Sequence, residues 1–145
     1  MRVCGLVALA FLVSAGVAAA APGKIAPKIE RISPNPWEKQ IGYAQAVRRG
    51  DHLYISGVVA DGPDMAAQMK AVYAEIDGIL KAQGLNSKAV IKETIYTRDI
   101  EAVKANIALR KTFYVDDVYP SATWVQIDRL YQPQFLLEVE IDAVY

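Results

Sequence analysis

The chain has 145 residues, room for one domain, and its 53% apolar and 22% charged residues make a globular composition, not a disordered one. Its 16 basic residues balance 16 acidic ones, which argues against a protein built to hold a nucleic-acid backbone. A single cysteine (Cys4) and a single histidine (His52) exclude an internal disulfide framework, a cysteine zinc site and a multi-histidine metal centre, and speak against a Ser-His-Asp triad.

Arg2 is followed by an uncharged run from Val3 to Ala21, densest in apolar residues at Leu6–Val13. The run ends in small residues with an A-x-A pattern. Residues 1–20 therefore read as a secretory signal peptide cleaved after Ala20. The rival reading is an uncleaved anchor, which the borderline length and the weakly hydrophobic, alanine-rich end disfavour. Cleavage removes Arg2 and Cys4 and leaves a net charge of −1. The mature chain is then expected to be periplasmic or secreted, with no stable membrane association.

Residues 21–36 hold four prolines and read as an extended lead-in, with a short strand at Lys28–Ile32. Ala44–Arg48 and His52–Ser56 flank Arg49-Gly50-Asp51 and predict a hairpin. Beside Asp51, His52 reads as a surface residue. Asp64 is positioned to cap a helix in which Met65, Met69, Val72, Tyr73, Ile76, Ile79 and Leu80 recur at helical spacing, with Gly84 as the stop. Val90–Thr97 predicts a strand. Asp99 can cap a second helix from Ile100 to about Phe113, anchored by Val103 and Ile107.

Thr123, Val125 and Ile127 then alternate with Trp124, Gln126 and Asp128, a strand with two distinct faces. Gln132-Pro133-Gln134 predicts a turn. The last strand, Phe135–Val144, puts Leu137, Val139, Ile141 and Ala143 on one face, and Glu138, Glu140 and Asp142 on the other. The order β-β-α-β-α-β-β, with a possible strand before it, predicts an α+β sandwich: a mixed sheet with two helices packed on one face. Apolar residues on both faces of the Thr123–Asp128 strand point to an oligomer.

Several short segments resemble one family when taken in order. Ile41-Gly42-Tyr43-Ala44-Gln45-Ala46-Val47 resembles G-P-Y-S-Q-A-V, and Leu53-Tyr54-Ile55-Ser56-Gly57 resembles L-Y-x-S-G. Lys92-Glu93-Thr94-Ile95-Tyr96 with Asp99 resembles K-x-T-V-F-x-x-D. Asn106 corresponds to an asparagine of the second helix, one residue short in spacing. Ile127-Asp128-Arg129-Leu130 resembles V-A-R-L, and Val139-Glu140-Ile141-Asp142-Ala143 resembles V-E-I-E-A. These are segments of the YjgF/Rid proteins, the reactive intermediate deaminases. The resemblance covers about Gly42–Tyr145 and assigns 37–145 to a Rid-like domain. It implies a chorismate-mutase-like fold, a homotrimer with a pocket at each subunit interface, a small-molecule ligand or substrate, and no cofactor or metal. Many members hydrolyse enamines and imines to the keto acid and ammonia.

Deaminating members carry an arginine in a P-x-R-S segment, where a guanidinium holds the substrate carboxylate by two parallel hydrogen bonds. Here the segment reads Pro120-Ser121-Ala122-Thr123-Trp124, so Ala122 stands at the arginine position. Trp124 takes a pocket position, where it narrows the site or offers a stacking face. The resemblance makes Glu140 the site carboxylate that positions or activates water, and Tyr43 and Gly57 pocket residues. By alternation alone, Glu140 belongs to a solvated sheet face. Arg98, Arg110 and Arg129 are candidates to replace the missing arginine from a neighbouring subunit.

The resulting expectation is an exported Rid-like protein that acts on a small reactive metabolite. Its catalytic residue would be Glu140, and Tyr43, Gly57, Ala122, Thr123 and Trp124 would bind the ligand. The alternative is a non-catalytic trimer that binds a small molecule or a protein. An endoribonuclease fits poorly with a charge of −1 and no basic stripe.

Overall fold

The computed structural model describes residues 27–145. The signal-peptide segment 1–20 and the first part of the lead-in lie outside the described residues. Six strands form one sheet in the order β1-β2-β3-β6-β4-β5. The strands are β1 (Ile29–Ile32), β2 (Ala46–Arg49), β3 (His52–Val58), β4 (Val90–Thr97), β5 (Ser121–Gln126) and β6 (Leu137–Val144). Only β4 and β5 pair in parallel; every other neighbouring pair is antiparallel. The helices are α1 (Pro36–Ile41), α2 (Met65–Ala82), α3 (Ile100–Ala105) and α4 (Ile107–Lys111).

Helix α2 follows its sequence pattern. The Asp64 carboxylate accepts from the Ala67 amide at 2.8 Å, and the whole apolar stripe from Met65 to Leu80 is buried. The stripe packs on Leu53, Ile55, Ile95, Leu137, Val139, Ile141 and Ala143, the inward positions of three central strands. Asp64→Ala is expected to cost about 1 kcal/mol, read as a lower urea midpoint with an unchanged m-value.

Three details differ from the sequence expectation. The second helix is broken at Asn106 into α3 and α4. The Asn106 side chain donates to the Ala102 carbonyl at 2.8 Å, and its backbone leaves the helical region at φ −106° and ψ 17°. A short polar side chain that bonds back to the preceding turn competes with the helix ladder. The last strand begins at Leu137 instead of Phe135. Finally, the segment after the lead-in folds into α1. Pro36 suits the first helical turn, where its missing N–H costs nothing.

The buried Gln68 carboxamide ties α2 to the turn before β6. Its Nε2 donates to the carbonyls of Gly62 (3.1 Å) and Gln134 (2.9 Å), and its Oε1 accepts from the Leu136 amide at 2.8 Å. Thr97 Oγ1 donates to the Leu136 carbonyl at 2.9 Å from the other side. Among the described residues, no helix covers the opposite face of the sheet. It presents Tyr54, Thr94, Tyr96 and Val125 with Glu138, Glu140 and Asp142.

Candidate functional site

Helix α1 delivers the first site residues. Glu38 sits three residues after Asn35, and its Oε1 accepts from the Asn35 amide (3.3 Å) and Nδ2 (2.8 Å). This pins the helix start and pulls the Glu38 carboxylate to 0% exposure. Gly42 ends the helix with φ +74°, a left-handed conformation that glycine adopts without strain. The reversal places Tyr43, whose hydroxyl donates to the Gly57 carbonyl at 3.3 Å. The Trp37 ring stacks on Tyr43 with centroids 5.5 Å apart.

Gly57 lies in an irregularity where the β3–β6 register shifts between Ile55 and Val58. A Cβ there would stand 1.8 Å from Glu138 Oε1 and 2.6 Å from its Cδ. Glycine is therefore what allows the Glu138 carboxylate to lie against β3. Trp37, Ile41, Tyr43, Gly57, Tyr131, Phe135 and Glu138 enclose a groove of about 460 Å³. A second cavity of about 210 Å³ shares Trp37, Tyr43 and Gly57 and is also lined by Glu38, Gln45 and Glu75.

Burial, and after it the neighbouring charge of Glu140, pushes the Glu138 carboxyl above its ordinary value of 4.5. Burial likewise raises the Tyr43 phenol. A raised carboxyl means that the folded protein holds the proton more tightly than the unfolded chain does. The associated stability is complete below about pH 4.5 and is lost as pH rises through the folded value. Glu138→Gln should therefore be more stable than the parent at neutral pH. The advantage should vanish below the ordinary glutamate pKa, in urea melts run across that range.

Glu140 follows Glu138 by two residues on the same exposed face. It accepts from the Tyr96 hydroxyl at 3.2 Å, and its charge is the main cause that raises the Tyr96 phenol. Thr123 is on this face too, opposite Thr94, and accepts from Lys92 Nζ at 2.6 Å.

Ala122 and Trp124 point the other way. They pair in register with Glu93 and Ile95, on the side of the helices. There the buried Glu93 carboxylate accepts four hydrogen bonds and makes an ion pair. Oε1 accepts from the hydroxyls of Tyr73 and Tyr114, each at 2.6 Å. Oε2 accepts from Arg110 Nε (2.8 Å) and Trp124 Nε1 (3.3 Å), and Arg110 Nη2 stands 2.6 Å from it in an ion pair. Arg110 also lies over the Tyr114 and Trp124 rings, 4.8 and 5.2 Å from their centroids. Burial and the Glu93 charge push both phenols far above their ordinary range. Of the other arginines considered, Arg98 donates to the Pro133 carbonyl, and Arg129 is exposed.

Within one chain, then, the expected site residues other than Thr123, which stands on β5 on the face of Glu140, fall into two sets. Tyr43 and Gly57 meet at the groove beside Glu138, with Glu140 adjacent on β6. Ala122 and Trp124 lie on the opposite face of β5, with β6 and β4 between them and β3. Three inter-strand steps amount to about 14 Å. Sequence reasoning missed the groove walls Trp37, Tyr131 and Phe135 and the carboxylates Glu38 and Glu138. The one available signal was Asn35 followed three residues later by Glu38, the spacing of a reciprocal helix cap.

The family model described as Endoribonuclease L-PSP matches residues 35–145. A RutC family protein of Pyrococcus horikoshii is 32% identical over 116 residues, covering 73% of this chain and 88% of that protein. A 2-iminobutanoate/2-iminopropanoate deaminase of Escherichia coli is 24% identical over 111 residues, covering 70% and 84%. Among solved structures, a YjgF-family protein from Mycobacterium tuberculosis superimposes with a TM-score of 0.74 at 26% identity, covering 81% of this chain and 100% of that one. A YjgF-family protein from Neisseria meningitidis gives 0.73 at 26% identity, covering 83% and 97%. With the fold, the ordered motifs and a family match that runs from the start of α1 to the C-terminus, the chain belongs to the YjgF/RutC family.

Proposed function

We propose that this protein is an exported, trimeric Rid-type hydrolase of small reactive imines or enamines, and that α-imino acids are poor substrates for it. The reading is carried by one contrast. Tyr43, Gly57 and Glu138 line one groove, with Glu140 two residues along β6, while the position that would clamp a substrate carboxylate holds Ala122, and Arg110 is already bonded to Glu93. In the reaction, water adds to the C=N carbon, a carboxylate takes a proton from it and passes it to the nitrogen, and ammonia leaves as the hydroxyl gives up its proton and the carbonyl forms. Glu140 is the carboxylate proposed to position that water. The two separated sets of residues would meet only between copies, with β5 of one subunit facing the groove of the next. The helix-free sheet face and the edge strand β5 are the surfaces such a trimer would cover. Several carboxylates on that face and a mature charge of −1 argue against RNA as a substrate.

The test is imine lifetime, followed with and without the purified protein, on a panel generated in situ by amino-acid and amine oxidases. Carboxylate-free imines should decay faster with the protein, and α-imino acids should not. Ala122→Arg should gain activity on α-imino acids. A protein inert towards the whole panel would favour the second reading, a non-catalytic binding member of the family, to which the loss of the arginine also lends support.

A further inference from the structure

The two adjoining cavities share a chemical bias. Glu38, Glu75 and Glu138 line them, and no lysine or arginine does so among the described residues. Glu38 carries the most telling atom. Its Oε1 is occupied by Asn35, but Oε2 is buried and has no hydrogen-bond partner among the described residues. A buried carboxylate oxygen left unpaired is costly, and an N–H donor entering the adjoining space would offset that cost. The stacked pair Trp37 and Tyr43 lines both cavities, and aromatic ring faces attract cations. Tyr131 and Phe135 add apolar wall to the larger groove.

Taking this groove as the ligand site proposed above, we infer that its ligand is an organic cation, an ammonium or protonated imine with an apolar body and no carboxylate. The nitrogen donates to Glu38 Oε2 and faces Glu138. The apolar body lies along Trp37, Tyr43 and Phe135. Within the subunit, a carboxylate-bearing ligand would meet three carboxyl groups and no lysine or arginine among the described residues. The inference deepens the hydrolase reading by naming a charge class for its substrate.

Calorimetric titration of the purified protein with benzylamine, benzyl alcohol and benzoate separates charge from shape, because the three probes share a ring and a tether. Benzylamine should bind at least about tenfold more tightly than benzyl alcohol, the effect of one charge-assisted hydrogen bond. Benzoate should show no binding. Equal affinity for benzylamine and benzoate, or no binding of benzylamine, overturns the inference. Glu38→Gln keeps an oxygen for Asn35 and replaces Oε2 by a donor. It should weaken benzylamine by about tenfold and leave benzyl alcohol unchanged. Unchanged benzylamine affinity in a folded Glu38→Gln protein removes Glu38 from the site and sinks the proposal. Should that variant not fold, Glu138→Gln provides the same comparison of the two probes. Benzylamine cannot be hydrolysed, so the two readings fail separately. Binding without imine turnover defeats the hydrolase and keeps the cation site. Turnover of carboxylate-free imines without benzylamine binding does the reverse.

Discussion

Arg110→Ala is expected to destabilise the fold by about 3–5 kcal/mol, the cost of leaving a buried charge without its partner. Glu93 is 0% exposed, and the Arg110 guanidinium gives it one hydrogen bond and an ion-pair contact. The tyrosine hydroxyls and the Trp124 indole stay in place in the variant, but they are neutral and cannot balance the carboxylate. A domain of this size has about 5–15 kcal/mol in total, so the change is a large share of it. Equilibrium unfolding in urea reads the loss directly. The double variant Glu93→Gln with Arg110→Met removes both charges and should recover much of it, because paired burial is expensive and only broken pairs are ruinous. A single variant as stable as the parent would show that Glu93 gains compensation elsewhere.

Glu140→Gln is expected to lower imine turnover by about a hundredfold or more, the usual contribution of a positioned acid–base group. Stability should move by less than about 0.5 kcal/mol, since the side chain is exposed and the amide oxygen still accepts from Tyr96. The two readouts together distinguish a reacting group from a structural one. Turnover that survives in Glu140→Gln and disappears in Glu138→Gln would move the chemistry two residues along β6.

The elements that sequence patterning revealed are those with long, regular signals. Helix α2 has a cap, seven spaced apolar residues and a glycine stop, and β6 has four inward and three outward residues in strict alternation. Helix α1 has six residues, too few for a period, and its flanking prolines read as extended chain. Alternation also told which face Glu138 and Glu140 share. It could not tell that an irregularity in β3 brings Gly57 against Glu138 and leaves Glu140 more open. The Glu93 cluster joins residues 17 to 31 positions apart, beyond any local pattern. Its trace was a carboxylate in phase with Ile95 on the inward face of β4, a place where a charge needs a partner.

The carboxamide of Gln68 has a consequence for kinetics. Two hydrogen bonds from one buried side chain hold the turn that carries Phe135 onto the helix layer, while a third, to the Gly62 carbonyl, fixes the side chain itself. Opening that side of the groove would break both bonds to the turn at once and leave buried polar groups without partners. A molecule entering therefore meets a rigid wall and loses little affinity to ordering it. Arrival and departure are then governed by desolvation and by the exposed rim at Tyr131, not by a slow gate, and residence should be short for any ligand that fails to match the wall already there.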